Sequence, residues 1–227
     1  SAWRQKVMKK EILYSLKGIY RENFEIEGYK RASSPAPYSG VATYVKNCIP
    51  CRFEKYQQKE LSGHVLKAEF WFPSFTLYNT YTPYSNPGVE GAIEHRKMFD
   101  RSFMKLVSET PDRQIICGDM NIVASEYDCW DGKYKRNQAN FHDWERHNFE
   151  ELLEKGHLID TYRIFNSCSK EFSYFFRNDP QVRADNHGHR IDYFLASRSF
   201  EPQIVRAEII KDCTVSTNNP ILLEIKY

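Results

Sequence analysis

A carboxylate and an amide stand two residues apart at the end of an apolar run, in Ile115-Ile116-Cys117-Gly118-Asp119-Met120-Asn121. The run over 114–117 predicts a buried strand that stops at a glycine. Alternation along an extended chain puts Asp119 and Asn121 on one side and Met120 on the other. An acceptor-only anion beside a donor–acceptor amide can orient a water and touch a phosphate oxygen. The same residues also suit a polar turn that closes a strand, because Gly, Asp and Asn are common turn formers.

Several elements must position this pair. Residues 1–17 carry Trp3, Val7, Met8, Ile12 and Leu16 at spacings that fit one face of a basic helix, with Gly18 as a stop. A Pro- and Ser-rich loop over 32–40 leads to a strand over 41–45, and further strands are predicted over 65–71 and 75–81. A helix from about residue 90 is predicted to bury Met98, Phe99, Phe103 and Leu106 before the strand of Asp119. A polar segment with Asp128, Trp130 and the basic cluster Lys133-Tyr134-Lys135-Arg136 follows. A second helix over 142–155 is predicted to bury Trp144, Phe149, Leu152 and Leu153, with Gly156 at its end. Late strands are expected over 172–176, 191–195, 204–210 and 221–225. Helices falling between strands predict sheets packed face to face with helices outside.

The 227 residues suit one large domain preceded by the helix, and hydrophobic residues at 41% suffice for a sizeable core. A formal net charge of +2 means that any footprint on nucleic acid comes from local clusters. No apolar stretch reaches the ~18 residues of a membrane span, and no signal peptide pattern opens the sequence, so an intracellular, nuclear or organellar protein is expected. Cys48-Ile49-Pro50-Cys51 is a lone pair of thiols without a second pair, which argues against structural zinc.

Six short motifs in order resemble the exonuclease III/AP-endonuclease branch of the endonuclease–exonuclease–phosphatase superfamily. They are Tyr38-Ser39-Gly40-Val41-Ala42, Asn79-Thr80-Tyr81-Thr82-Pro83, Gly118-Asp119-Met120-Asn121, Leu158-Ile159-Asp160-Thr161-Tyr162-Arg163, Phe172-Ser173-Tyr174-Phe175 and Gly188-His189-Arg190-Ile191-Asp192-Tyr193. The resemblance implies an α/β (α+β) fold of two packed, mainly antiparallel sheets flanked by helices, a DNase I-like four-layer sandwich over 19–227. It also implies magnesium-assisted phosphodiester hydrolysis, in which Asp119 orients the water, Asn121 and Tyr81 meet the phosphate, and Asp192 supports a histidine. Two alternatives stand beside these roles: Tyr81 as a strand end, and Asp192 as anchor for a buried arginine such as Arg190. Arg96, Lys133, Lys135, Arg136, Arg163 and Arg190 are the candidate nucleic-acid contacts.

The departures from the family pattern weigh as much as the matches. Where the family ends with Ser-Asp-His-x-Pro, this chain reads Ser216-Thr217-Asn218-Asn219-Pro220. Threonine supplies no carboxylate, and an amide accepts no proton near neutral pH. The family's opening strand with its catalytic Asn, and the Gln-Glu-Thr motif whose Glu holds the metal, have no counterpart before residue 19, so the N-terminal strand reads as lost. His189 stands where a tryptophan is common. Acid–base work is worth ~10²–10⁴ in rate, and metal charge stabilisation adds several kcal/mol. The expectation is therefore a degenerate nuclease, without a bound cofactor or metal, acting as a nucleic-acid-binding or structural subunit among other proteins. The loss of an interior strand predicts an open sheet edge that a partner segment or the neighbouring strands must fill. The competing expectations are an active magnesium-dependent nuclease and, on fold analogy alone, a phosphatase.

Overall fold

The computed structural model describes residues 5–8, 12–17, 25–35, 40–109, 112–131, 138–176, 179–211 and 216–227. The chain begins with β1 (Gln5–Met8), β2 (Ile12–Lys17), β3 (Tyr29–Pro35), β4 (Gly40–Lys46), β5 (Cys51–Lys55), β6 (Val65–Trp71) and β7 (Ser74–Tyr81). Helix α1 (Ala92–Glu109) then leads to β8 (Gln114–Asp119), and α2 (Asp143–Lys155) leads to β9 (Leu158–Asp160) and α3 (Thr161–Phe165). The remainder comprises β10 (Tyr174–Phe175), α4 (Pro180–Ala184), β11 (Gly188–His189), β12 (Asp192–Ser197), β13 (Ile204–Ile209) and β14 (Ile221–Ile225).

One six-stranded sheet runs β13-β14-β1-β2-β4-β3, a second runs β5-β6-β7-β8-β12-β9, and β10 and β11 form a small two-stranded sheet. All neighbours are antiparallel except β1 with β14 and β7 with β8. Between the sheets lie Val45, Phe70, Leu77, Ile115, Cys117, Phe194, Ile221 and Leu223. On the other face of the second sheet, Tyr78, Ile116 and Leu195 meet Phe99 and Phe103 of α1 and Phe149 and Leu152 of α2. Both faces of β8 are thus covered, which is why its sequence is a continuous apolar run instead of an alternating one. Met98 turns outward, and Val107 takes the last buried position of α1.

The helix expected over residues 1–17 is not found: β1 and β2 occupy that segment. Val7, Met8, Ile12 and Leu16 fit a helical stripe on paper, but tertiary pairing overrides local spacing here. β1 pairs with β14, and β2 pairs with β4. The expected gap left by a lost strand is therefore filled by the chain's own first residues, and the reason for invoking a partner strand disappears. The expected sheets packed face to face with helices outside are found, and the outer face of the first sheet carries a small cluster of its own. Ala42 and Tyr44 of β4 pack there against Ile26 and Tyr29.

Two residues fix the strands that carry the site. Gly118 adopts φ 142°, and a Cβ there would stand 1.8 Å from the Thr80 carbonyl oxygen, so only glycine lets β8 lie this close to β7. Asn79 donates through Nδ2 to the Ala42 carbonyl at 3.0 Å and to Thr43 Oγ1 at 3.1 Å, tying the two sheets together.

Candidate functional site

The ends of three adjacent strands set the site. Tyr81 lies opposite Asp119 in the β7–β8 register, and Asp119 lies opposite Asp192 in the β8–β12 register. Residues opposite one another share a face of the sheet, so the three side chains form a row along one edge. Beyond β8 the backbone turns sharply. Asn121 adopts φ 44°, and its N–H donates to Asp119 Oδ1 at 2.8 Å. Asn121 Nδ2 donates to the Thr82 carbonyl at 2.8 Å, while Thr82 N–H donates to the Asp119 carbonyl at 2.8 Å. Met120 points the other way, into the core beneath α1 and α2.

Tyr81 is clamped from both sides. Its N–H donates to the His64 carbonyl at 2.9 Å, and its own carbonyl accepts from His64 Nδ1 at 2.8 Å. Because a carbonyl only accepts, Nδ1 carries the proton. The His64 ring lies along Tyr81 at 5.9 Å and meets His95 and Phe99 edge-on. Burial pushes the His64 pKa down, the hydrogen bond to Tyr81 opposes this, and His95 adds to the depression.

Asp192 meets an amide. Asn218 Nδ2 donates to Asp192 Oδ2 at 2.9 Å, and Asn218 Oδ1 accepts from Thr217 Oγ1 at 3.0 Å. The loop over 216–219 is pinned from its flanks. Phe175 N–H donates to the Thr217 carbonyl at 2.7 Å, Asn219 N–H to the Ser173 carbonyl at 2.7 Å, and Asn219 Nδ2 to the Phe172 carbonyl at 3.1 Å. Asp192 does not anchor Arg190, contrary to that alternative.

The arginines correct the sequence expectation. Arg190 is 1% exposed, and its guanidinium bonds Asp128 at 2.6 Å and Asp160 at 2.6 Å. Arg163 bonds the same Asp128 and the carbonyls of Asn166 and Ser169. Burial pushes the Asp128 carboxyl up, but Arg190 and Arg163 beside it hold it below the usual carboxylate range. Arg96 is buried too, donating to Asp100 at 2.8 Å, to the carbonyls of Asn121 and Pro83, and to Glu145. Ser85 Oγ donates to the same Glu145 at 2.6 Å, and burial pushes that carboxyl up, with Arg96 opposing. Arg96 and Arg190 are therefore buried in the scaffold, and Arg163, with its side chain 18% exposed, is tied to Asp128. Lys133, Lys135 and Arg136 lie outside the described residues.

A cleft of about 540 Å³ opens beside the row, lined by Tyr81, Asp119 and Asn121 together with residues the sequence did not single out: Tyr84, Gln138, Asn140 and Phe176. Their chemistry is amide and aromatic, and nothing in their spacing announces it. Among the described residues no three carboxylate, imidazole or thiol side chains converge. Asp192 Oδ2 accepts from Asn218 and Asp119 Oδ1 from the Asn121 N–H.

The pattern of the Endonuclease/Exonuclease/phosphatase family matches residues 5–212. The exodeoxyribonuclease of Bacillus subtilis (strain 168) is 32% identical over 197 residues, which cover 83% of this chain and 75% of that protein. The DNA-(apurinic or apyrimidinic site) endonuclease of Arabidopsis thaliana is 27% identical over 228 residues, covering 90% of this chain and 62% of its own length. The crystal structure of the AP endonuclease LMAP from Leishmania major superposes with a TM-score of 0.78 at 20% identity, over 89% of this chain and 72% of that one.

Proposed function

Since the chain belongs to the endonuclease/exonuclease/phosphatase family, with exodeoxyribonuclease and AP-endonuclease relatives, we propose that it is a nucleic-acid-binding member whose hydrolytic chemistry has degenerated. The observation that carries this is the 2.9 Å contact between Asn218 Nδ2 and Asp192 Oδ2. A general acid–base at that position must take and return a proton, and a carboxamide does neither near neutral pH. Asp192 instead holds an amide in a fixed orientation. Asp119 places its carboxyl group at the cleft, Asn121 fixes the turn that presents it, and Tyr81 offers a phenol on a clamped backbone. These groups position a phosphodiester without an imidazole beside it.

Lys133, Lys135 and Arg136 provide the local positive charge for the phosphate backbone, so binding is expected to weaken with salt. Fluorescence anisotropy with abasic, nicked and RNA duplexes, run beside a cleavage assay in magnesium, tests the proposal. Salt-sensitive binding without cleavage above background is the expected result. A second reading, magnesium-dependent hydrolysis of DNA phosphodiesters, draws on the retained row of Tyr81, Asp119 and Asp192. Magnesium-dependent cleavage that Asp119→Ala abolishes would establish it and overturn the first.

A further inference from the structure

The loop that sets Asn218 against Asp192 is closed by a side chain from another part of the chain. Arg183 belongs to α4, in the connection between β10 and β11. Its Nη1 donates to Asn219 Oδ1 at 2.8 Å, its Nη2 donates to the Ser216 carbonyl, and its guanidinium lies 4.7 Å from the centre of the Phe175 ring. One planar group thus bonds both ends of the segment 216–219. Thr217 and Asn218 stand between the bonded ends.

Packing does not account for this reach. No residue of α4 is buried, and Gln181 spends its amide on Asp185 close by. Among the described residues, Arg183 is the one α4 side chain that hydrogen-bonds beyond 179–185, across 33 and 36 residues of sequence. The remaining bonds to the loop do different work. Phe175 N–H to the Thr217 carbonyl and Asn219 N–H to the Ser173 carbonyl hold it alongside β10. Neither spans from 216 to 219, so neither sets the width of the arch between them. A guanidinium presents its donors in a rigid fork, which holds two acceptors at a fixed separation. We propose that Arg183 is the positioning residue for this end of the site: by bridging Ser216 to Asn219 it shapes the arch so that the side chain at 218 meets Asp192. The assignment goes beyond the binding function above and does not depend on it.

Asn218→His supplies the probe, because an imidazole held against Asp192 titrates above its ordinary ~6.5. Proton NMR titrations compare Asn218→His alone, with Arg183→Ala and with Arg183→Lys. The ring should be raised in the single variant and fall back to about 6.5 with Arg183→Ala. It should stay there with Arg183→Lys, since lysine restores the charge without the fork. The direction separates positioning from simple electrostatics. Removing a nearby cation raises an imidazole pKa, so a fall reports loss of the Asp192 contact. Both double variants should melt cooperatively within about 5 °C of the single one, as α4 buries no residue. If the alanine variant does not melt cooperatively, the lysine variant decides alone. A ring equally raised in all three chains overturns the proposal, as does one that lysine restores in full. A ring not raised in the single variant overturns it too, because the arch then fails to present position 218 to Asp192.

Discussion

Asn218 donates its side-chain N–H to Asp192 at 2.9 Å, from a loop that Ser173 and Phe175 hold in place. The contact is a carboxylate–amide pair, and the side chain at 218 is already aimed at the carboxylate. Asn218→His should therefore place a ring nitrogen against Asp192, and the anion should raise the histidine pKa above its ordinary ~6.5. Proton NMR titration of the introduced ring, compared with the Asn218→His/Asp192→Asn double variant, measures this. On the proposed reading, magnesium-dependent cleavage should stay at background in the single variant, because Thr217 still supplies no carboxylate. A ring that titrates identically in both variants would show that the loop does not hold position 218 against Asp192.

The clamp on Tyr81 has a pH signature. Burial lowers the His64 pKa in the folded chain, so below ~6.5 the unfolded state takes up a proton that the folded state resists. Stability from this group is complete above the unfolded value and falls as pH drops from there toward the depressed folded value. Urea midpoints at pH 7.5, 6.5 and 5.5 should decline over that window. His64→Ala should flatten the decline and lower stability at pH 7.5 by ~1–3 kcal/mol, since the Tyr81 carbonyl loses its donor. A midpoint unchanged at pH 7.5 would mean that solvent replaces the imidazole freely.

Much of the site was legible from residue type, and the errors share one cause. β8 was readable because both of its faces are covered, leaving Ile115 and Ile116 without a polar interruption. The reading of Thr217 and Asn218 rests on residue type alone, since no geometry adds a carboxylate or an imidazole to those side chains. Arg190 was misread because its partners, Asp128 and Asp160, stand 62 and 30 residues away in sequence. Arg96 likewise meets Glu145 across 49 residues. Residues 1–17 were misread because their apolar spacing satisfies a helix, and only pairing with β14 and β4 decides for strands. Asn140 gave no signal, since its positive φ and its unpartnered buried oxygen arise only in the folded chain.

Asp128 is the hub of the buried ion network, taking Arg190, Arg163 and the Ser125 hydroxyl and N–H. Asp128→Asn keeps the shape but leaves two largely buried guanidinium groups with less opposing charge. Breaking a buried pair in this way should cost ~3–5 kcal/mol, read as a loss in the denaturant midpoint at constant m. The depressed pKa adds a pH test. The network's contribution is fully present above the unfolded carboxylate value of ~3.9 and is lost as pH falls through the lower folded value. Wild type and variant should therefore converge in stability at strongly acid pH. A variant within ~1 kcal/mol of wild type at pH 7 would show that water or Asp160 compensates.

Gly118 supports the sharpest structural prediction. A methyl group at that position would overlap the Thr80 carbonyl oxygen at 1.8 Å, and the contact is with backbone, which cannot rotate away. The residue also sits at φ 142°, a conformation that L side chains rarely adopt. To accept Ala, β8 must move off β7, which would break the register that sets Tyr81 opposite Asp119. Strain and lost packing act together here, so a penalty above ~4 kcal/mol is expected, enough to abolish a cooperative thermal melt in a marginally stable domain. Met120→Leu serves as the control, since it conserves volume in the core two residues along and should cost under ~1.5 kcal/mol. A Gly118→Ala chain that melts cooperatively near the wild-type temperature would mean that β7 and β8 do not approach this closely in solution, and the row of Tyr81, Asp119 and Asp192 would lose its basis.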